Sequence, residues 1–497
     1  MAVTLETNLP AFANDISDVI KMMLANGSDG MLAHTHTESG GWWVERCAYG
    51  GQSFEWRVLP PKRGGMTREA FALYEKRLMK RAAKQCCYYL LKNVTGRVPP
   101  WGALTGIRPT RLYAERLAAG DPDPERALIQ RYDVRPDKAA LLGSVARAQV
   151  PYLDAPPDAV DIYVGIPYCA TRCAYCSFKT EIIPKDPRKT DAYVDALERE
   201  IHCVRRMISE AGLRPRALYV GGGTPTALDA ARLDRVLSAL DDSFCHEPGL
   251  MEYTVEAGRP DTLDNARLAV LRSHPVTRVS INPQTMNDAT LALIGRMHTA
   301  AQTEDAFARA RQAGFDNVNM DLIAALPGET EEDFARTLEA VRALSPESLT
   351  IHTLALKRAS RLSEDSAYAA AEPSVVESMI AMGNEAARSM GMSPYYLYRQ
   401  KQMAGDMENV GYAKPGRVCV YNIDMMEETV SILALGAGGI SKRVSRDPRK
   451  GLRIERAANM MESHRYIVRV EEMALRKRGL WGMDGEPSSL LSPNAQL

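Results

Sequence analysis

The chain has 497 residues, 62 basic and 62 acidic side chains, no formal net charge and 45% apolar content. That length calls for two or three domains, and that balance excludes a disordered chain and speaks against a nucleic-acid binder, which needs a basic face. The first 25 residues carry Glu6 and Asp15 without a basic start, and the longest uncharged apolar run, 429–441, is short and broken by glycines, so neither a signal peptide nor a membrane span is expected and the expected location is cytoplasmic.

Residues 1–150 read as a separate α+β domain whose role the residues do not reveal. Within it, WWVERCAYGGQSFEWRVL (42–59) predicts a hairpin, because apolar runs flank a Gly-Gly turn. MTREAFALYEKRLMKRAAKQCCYYLLKNV (66–94) predicts one long helix with a basic outer face. WGALTGIRPTRL (101–112) reads as an ordered loop leading into a helix, and PYLDAPPDA (151–159) as a linker. Cysteines number nine, with Cys86 and Cys87 adjacent, which suits intracellular thiols rather than a disulfide frame. Cys47, Cys203, Cys245 and Cys419 are expected to pack as small apolar residues.

From 160 to about 360 the pattern changes. Short apolar runs (DIYVGI, ALYVGGG, EYTVEAG, TRVSIN, NVNMDLIAAL, SLTIHTLAL) alternate with helical stretches at 189–211, 230–240, 261–273, 287–295, 303–313 and 330–344. This alternation predicts βα units around a parallel sheet, an α/β fold with a partial (β/α)6 barrel. Unusual residues then fall at the strand ends: Gly221, Gly222, Gly223 and Thr224, Glu256, Asn282 and Gln284, Asp321, and Lys357. In a parallel barrel those ends share the face that carries the site. Residues 361–484 form a further C-terminal region, and 485–497 read as a disordered tail.

The loop after the first strand holds Cys169, Cys173 and Cys176 in the spacing C-x3-C-x2-C. Thiolates select zinc, copper(I) or iron–sulfur clusters. Structural zinc would want a fourth Cys or His nearby, and neither lies between Ser177 and Arg188. A 4Fe–4S cluster on three cysteines leaves one iron open. Coincidental buried cysteines are the remaining alternative.

This spacing resembles the radical S-adenosylmethionine (SAM) superfamily. YVGIPYC, GGGTPT (221–226), RVSINPQT (278–285), GRMH (295–298) and NMDLIAALPGET (319–330) resemble the oxygen-independent coproporphyrinogen III oxidase family, across residues 160–445. PWGALTGIRPTRL, CSF after the last cysteine, and YLYRQKQMAGDMENVGYAKPG (396–416) are similar to its HemZ-type coproporphyrinogen dehydrogenases. The resemblance implies a 4Fe–4S cluster on Cys169, Cys173 and Cys176, with SAM on the open iron. It implies cofactor contacts from Tyr163, Tyr175, Gly222, Gly223, Thr224, Glu256, Gln284, Arg296 and Asp321. Glu256 and Asp321 would meet the ribose, Gln284 the ribose or methionine end, and Arg296 the methionine carboxylate. Catalytic residues beyond these are not identified.

The implied activity is oxidative decarboxylation of coproporphyrinogen III to protoporphyrinogen IX, with an unidentified low-potential electron donor and no nucleic-acid partner. Candidate cations for the propionates are Lys357, Arg358, Arg361, Arg399, Lys401, Lys414 and Arg417, and candidate wall residues are Tyr395, Tyr396, Tyr398 and Tyr412. The chain departs from some family members at Ser177-Phe178, where those carry Gly and a further Cys that help place a second SAM. It also carries Tyr421-Asn422 in place of the motif of the related haem chaperones, and Asn282 where relatives often have glycine. A haem chaperone of the same family, or a radical enzyme acting on another tetrapyrrole as in anaerobic haem degradation, are the alternatives.

Overall fold

A computed structural model describes residues 3–24, 28–106, 108–246, 248–355, 360–363, 371–400 and 403–483. Lys357, Arg358, Lys401 and the tail 485–497 lie outside them. The chain divides into two compact units, one of Met1–Gly143 with Arg399–Lys401 and Ser445–Arg453, the other of Ser144–Tyr398, Gln402–Val444 and Ile454–Leu497.

In the first unit, β1 (Thr4–Thr7), β2 (Met31–Ser39), β3 (Trp42–Tyr49) and β4 (Gln52–Val58) form a sheet in that order, β1 parallel to β2 and the rest antiparallel. The expected hairpin is β3–β4, and its turn is Gly50-Gly51 at φ 58° and 77°, both left-handed as a tight primed turn requires. The expected long helix runs Arg68–Thr95, where Thr67 caps the start by accepting from the Ala70 N–H at 3.3 Å and Gly96 ends it at φ 67°. It buries Cys86, Cys87 and Tyr88 beside Cys47, whose Sγ lies 3.2 Å from that of Cys87. Cys47 packs as expected, and Cys86 and Cys87 pack with it. The segment read as a linker begins inside a helix, Pro136–Leu153, because Pro151 falls in its last turn and removes one hydrogen bond from an otherwise complete helix.

In the second unit the six expected strands are β5 (Ala159–Ile166), β8 (Arg214–Gly222), β9 (Glu252–Glu256), β10 (Arg278–Ser280), β11 (Val318–Ala324) and β12 (Ser348–Thr353). Between the first two lie the short β6 (Tyr168–Cys169) and β7 (Glu181–Ile182), parallel to each other. The six pair with their neighbours in parallel and in chain order, five pairs in all. The helices between them match the sequence pattern, and two start with reciprocal capping boxes, Thr299 with Gln302 and Thr330 with Asp333.

The C-terminal region extends this sheet. β13 (Ser393–Tyr398) and β14 (Asn409–Ala413) add antiparallel at the β12 edge. β15 (Ser431–Leu435) adds parallel beside β5, followed by β16 (Ile440–Asp447) and β17 (Gly451–Ala458), which makes an 11-stranded sheet. Among the described residues that sheet runs β13-β14-β12-β11-β10-β9-β8-β5-β15-β16-β17, with β13 and β17 at its edges, so the barrel is open.

The two-residue period of the strands explains what fills the interior. Leu218 and Val220, Tyr253 and Val255, Met320 and Leu322, and Leu349 and Ile351 are buried on one face. The alternate positions on the other face are polar or aromatic: Asp161 and Tyr163, Tyr219, Glu252 and Glu256, Arg278 and Ser280, Asn319 and Asp321, Ser348, Thr350 and His352. Helix Val420–Glu427 meets this second face. Its Tyr421 stacks on Tyr219 at 4.6 Å and on Tyr163 at 6.0 Å, and its Asp424 faces Arg216 at 3.0 Å.

Candidate active site at the carboxyl ends of the strands

The cysteine loop leaves β5 and is tied to the barrel rim at several points. The Ala174 N–H donates to the Ile294 carbonyl at 2.9 Å and the Thr171 hydroxyl to the Gly295 carbonyl at 2.9 Å. The Thr224 N–H donates to the Tyr168 carbonyl at 2.7 Å, and its hydroxyl reaches Cys169 Sγ at 3.6 Å. Arg259, only 3% exposed, donates to the Thr171 hydroxyl at 2.8 Å and lies 3.8 Å from Cys173 Sγ. All three cysteines are half-buried, and burial pushes the thiols of Cys169 and Cys176 up. Among the described residues no three His, Cys, Asp or Glu side chains are placed to hold one metal ion jointly. A cubane makes no such demand, since each thiolate goes to its own iron.

Sterics account for the glycine triplet. A Cβ on Gly221 would sit 2.9 Å from the Glu256 carboxyl carbon, and one on Gly223 would sit 2.4 Å from the Tyr168 carbonyl oxygen. These glycines let the strand end pass against the cysteine loop and against Glu256, in addition to the ligand approach expected from the sequence.

Glu256 closes β9 and accepts from the Tyr219 hydroxyl at 2.5 Å. Burial pushes its carboxyl up to about 7, against the pull of that hydroxyl, and Asp321 adds to the rise. For Asp321, burial also works against ionisation, but His352, Asn319 and Thr350 hold the carboxyl below the ordinary aspartate range. The Asn319 amide donates to it at 2.8 Å. Two carboxylates on adjacent parts of one face are thus held in different protonation regimes.

Gln284 is buried and left-handed at φ 70°, a conformation that costs free energy for a side chain with a Cβ. Its backbone bridges to β11, donating to the Asp321 carbonyl at 2.9 Å and accepting from the Ile323 N–H at 3.0 Å. Ala325, just past β11, is left-handed too, at φ 67°. Arg296 is 5% exposed, with Nη2 donating to the Gly258 and Asn282 carbonyls at 2.6 and 2.7 Å and Nη1 to the Tyr175 hydroxyl at 3.1 Å. Its Nε and the Asn282 Oδ1 are buried with no hydrogen-bond partner. Such orphaned polar atoms call for a ligand or water.

The rim brings together the cysteine loop, Gly221, Gly222, Gly223, Thr224, Glu256, Asn282, Gln284, Arg296 and Asp321, while Lys357 lies outside the described residues. Tyr163 lies on β5, stacked at 6.3 Å on Tyr219, and Tyr175 sits in the cysteine loop. Sequence reasoning missed Arg259, Tyr219, His352 and Tyr421. The signal for Tyr219 and His352 was their even spacing from Gly221 and Thr350 on one strand face. For Arg259 it was the Arg-Pro-Asp after a strand end. Tyr421 carried no local signal.

The candidate substrate residues fare differently. Lys414 and Arg417 pair with Glu347 and Asp316 at 3.7 and 3.1 Å, at the amino ends of the strands and away from this rim, because β14 runs antiparallel and returns the chain there. Arg399 is buried over the Trp101 ring at 5.4 Å. Tyr395, Tyr396 and Tyr412 are buried in the core. Tyr398 lies at the rim, its hydroxyl 3.3 Å from His352 Nδ1. Arg361 remains a rim candidate, since the next residue, Leu362, donates its N–H to the Ala174 carbonyl at 3.2 Å. No helix among the described residues is long and apolar enough to cross a membrane.

The chemistry of the donors fits both implied cofactors: three thiols on one loop for a cluster, and beside them acceptor carboxylates, an amide and a cation with unused buried donors. The radical SAM superfamily model matches residues 163–341. The oxygen-independent coproporphyrinogen-III oxidase-like protein HemZ of Bacillus subtilis (strain 168) is 39% identical over 388 residues, 77% of each chain. The heme chaperone HemW of Lactococcus lactis is 36% identical over 195 residues, 39% of this chain and 49% of its own. The solved coproporphyrinogen III oxidase HemN of Escherichia coli, a radical SAM enzyme, superposes with a TM-score of 0.51 at 25% identity, covering 66% of this chain and 73% of that one. Radical SAM proteins use a 4Fe–4S cluster and S-adenosylmethionine, and these are the cofactors of this fold. Rim, cysteine loop and coverage together place the chain in the radical SAM superfamily, within the HemZ-like family of oxygen-independent coproporphyrinogen-III oxidase relatives.

Proposed function

We propose that this chain is an oxygen-independent coproporphyrinogen III oxidase, decarboxylating two propionates of coproporphyrinogen III to vinyl groups to give protoporphyrinogen IX in porphyrin and haem biosynthesis. The observation that carries the reading is coverage. The likeness to the HemZ relative runs over 77% of both chains, well beyond the barrel, whereas the likeness to the HemW chaperone covers 39% of this one.

In this reading Cys169, Cys173 and Cys176 would hold the cluster, with SAM bound beside it. Cluster and SAM together supply hydrogen-atom abstraction from unactivated carbon. The chain's residues bind and orient. Gly222 and Gly223 offer backbone to the methionine moiety, and Thr224 stands within reach of it. Glu256 and Asp321 receive the ribose hydroxyls, Gln284 donates to the same sugar or the methionine end, and Arg296 spends its remaining donors on the methionine carboxylate. Tyr163 and Tyr175 pack cluster and adenine. Arg361 suits a substrate propionate. An unidentified low-potential donor delivers the electron.

Anaerobic reconstitution with substrate and a reductant tests the reading. Protoporphyrinogen and 5′-deoxyadenosine appearing together support it, and cofactor turnover without vinyl product ends it. The HemW likeness favours a second reading, haem trafficking, for which stoichiometric haem binding and transfer without decarboxylation is the mark.

A further inference from the structure

Arg259 stands at the junction between β9 and the cysteine loop, and no reading of the sequence gave it a task. It is 3% exposed. Its Nε and Nη2 form a two-pronged pair with Asp261 at 3.1 and 3.0 Å, so the plane of the guanidinium is fixed. The remaining nitrogen, Nη1, donates to the Thr171 carbonyl at 3.2 Å, meets the Thr171 hydroxyl at 2.8 Å and faces Cys173 Sγ at 3.8 Å. That sulfur stands for an iron-bound thiolate once the cluster is loaded. A buried cation held rigidly against one cluster sulfur is more than the loop needs for anchorage, which Thr171 and Ala174 already receive from Gly295 and Ile294.

We infer that Arg259 is a positioning residue that tunes the cluster: it donates a charge-assisted hydrogen bond to the Cys173 thiolate and makes the cluster easier to reduce. Reduction adds one electron to a cluster whose sulfurs carry part of the negative charge. A buried N–H donor with a full positive charge stabilises the reduced form more than the oxidised one. Hydrogen bonds to cluster sulfurs and the surrounding charge are established levers on such potentials. Asp261 fixes the direction of the donor and offsets part of the cation's charge, and Thr224 supplies a weaker, neutral hydrogen bond to Cys169 at 3.6 Å. The inference needs the cluster but neither SAM nor the tetrapyrrole, so its failure and that of the proposed function are separable.

The test is the midpoint potential of the reconstituted cluster, followed by electron paramagnetic resonance during a redox titration without SAM, with iron and sulfide counted. Arg259→Gln should load iron as the parent does. Its one-electron reduction should become about tenfold less favourable, a fall of about 59 mV. Equal loading with an unchanged or raised potential overturns the inference. If Arg259→Gln does not take up iron, the parent chain labelled with [15N]arginine decides. A 15N hyperfine coupling on the reduced cluster supports the hydrogen bond, and its absence overturns it.

Discussion

The Tyr219 hydroxyl donates to Glu256 Oε1 at 2.5 Å, across two parallel strands, and the same carboxyl is pushed up to about 7 by burial. In the unfolded chain this glutamate titrates near 4.5. Below about 4.5 both states hold the proton and the residue has no effect on stability. Between about 4.5 and about 7 the unfolded chain releases it first, so folding weakens as pH rises, and above about 7 the loss is constant. Thermal unfolding of the cofactor-free protein should therefore show a stability loss across that window, up to about 3 kcal/mol, that Glu256→Gln removes. An identical pH profile for parent and variant would show that the carboxyl is not desolvated. The same variant should weaken SAM binding at pH 8, measured by calorimetry, since the amide does not accept two ribose hydroxyls as a carboxylate does.

Gly223 is a tight point of the rim, since a methyl group there would lie 2.4 Å from the Tyr168 carbonyl oxygen, which is backbone and cannot swing aside. Gly223→Ala should displace the start of the cysteine loop. The expected outcome is a stability loss of about 1–3 kcal/mol by urea unfolding, together with reduced iron uptake. Gly438→Ala, with nothing within 4 Å of its added Cβ, should leave iron uptake unchanged, although its φ of 74° costs some stability.

Parallel strands and their helices were legible in the sequence because each runs as an apolar segment flanked by turn signals, and because an inner polar residue alternates with an outer apolar one. Site residues at strand ends followed from that register together with the family motifs. The missed parts have nonlocal causes. Tyr421 reaches Tyr163 and Tyr219 from a helix about 200 residues away in sequence, so no window shows the stack. β15 reads as an apolar glycine-ended run, and nothing local says that it pairs parallel with β5. Lys414 and Arg417 looked like substrate cations until the antiparallel β14 carried them to the other end of the strands.

The three loop cysteines and the other thiols should separate cleanly by substitution. Cys169→Ser, Cys173→Ser and Cys176→Ser each remove one of three thiolates, and each should lose most of the iron and all SAM cleavage. Cys203→Ser, on helix Pro187–Glu210, should retain both. Iron and sulfide analysis with quantification of 5′-deoxyadenosine reads the difference. Full iron content in any of the three loop variants would place the cluster elsewhere.

At the opposite end of the barrel interior, Arg216 faces Asp424 at 3.0 Å, with their side chains 6% and 0% exposed, and Asp161 is buried nearby. Burial raises the carboxyls of both aspartates, Asp424 to about 7 with Arg216 pulling it down, and Asp161 well above the ordinary range. Arg216→Met leaves these carboxylates without their cation. Breaking a buried pair by removing one partner costs about 3–5 kcal/mol while the other stays charged. Protonation relieves that cost, so the damage should depend on pH. At pH 5.5 both carboxyls can hold a proton in the folded variant, and the loss measured by urea unfolding should be small. At pH 8 the folded variant must either keep a charge unpaired or hold a proton that the unfolded chain releases, and the loss should approach the full value. Equal losses at the two pH values would mean that Arg216 acts through packing of its aliphatic stem rather than through charge.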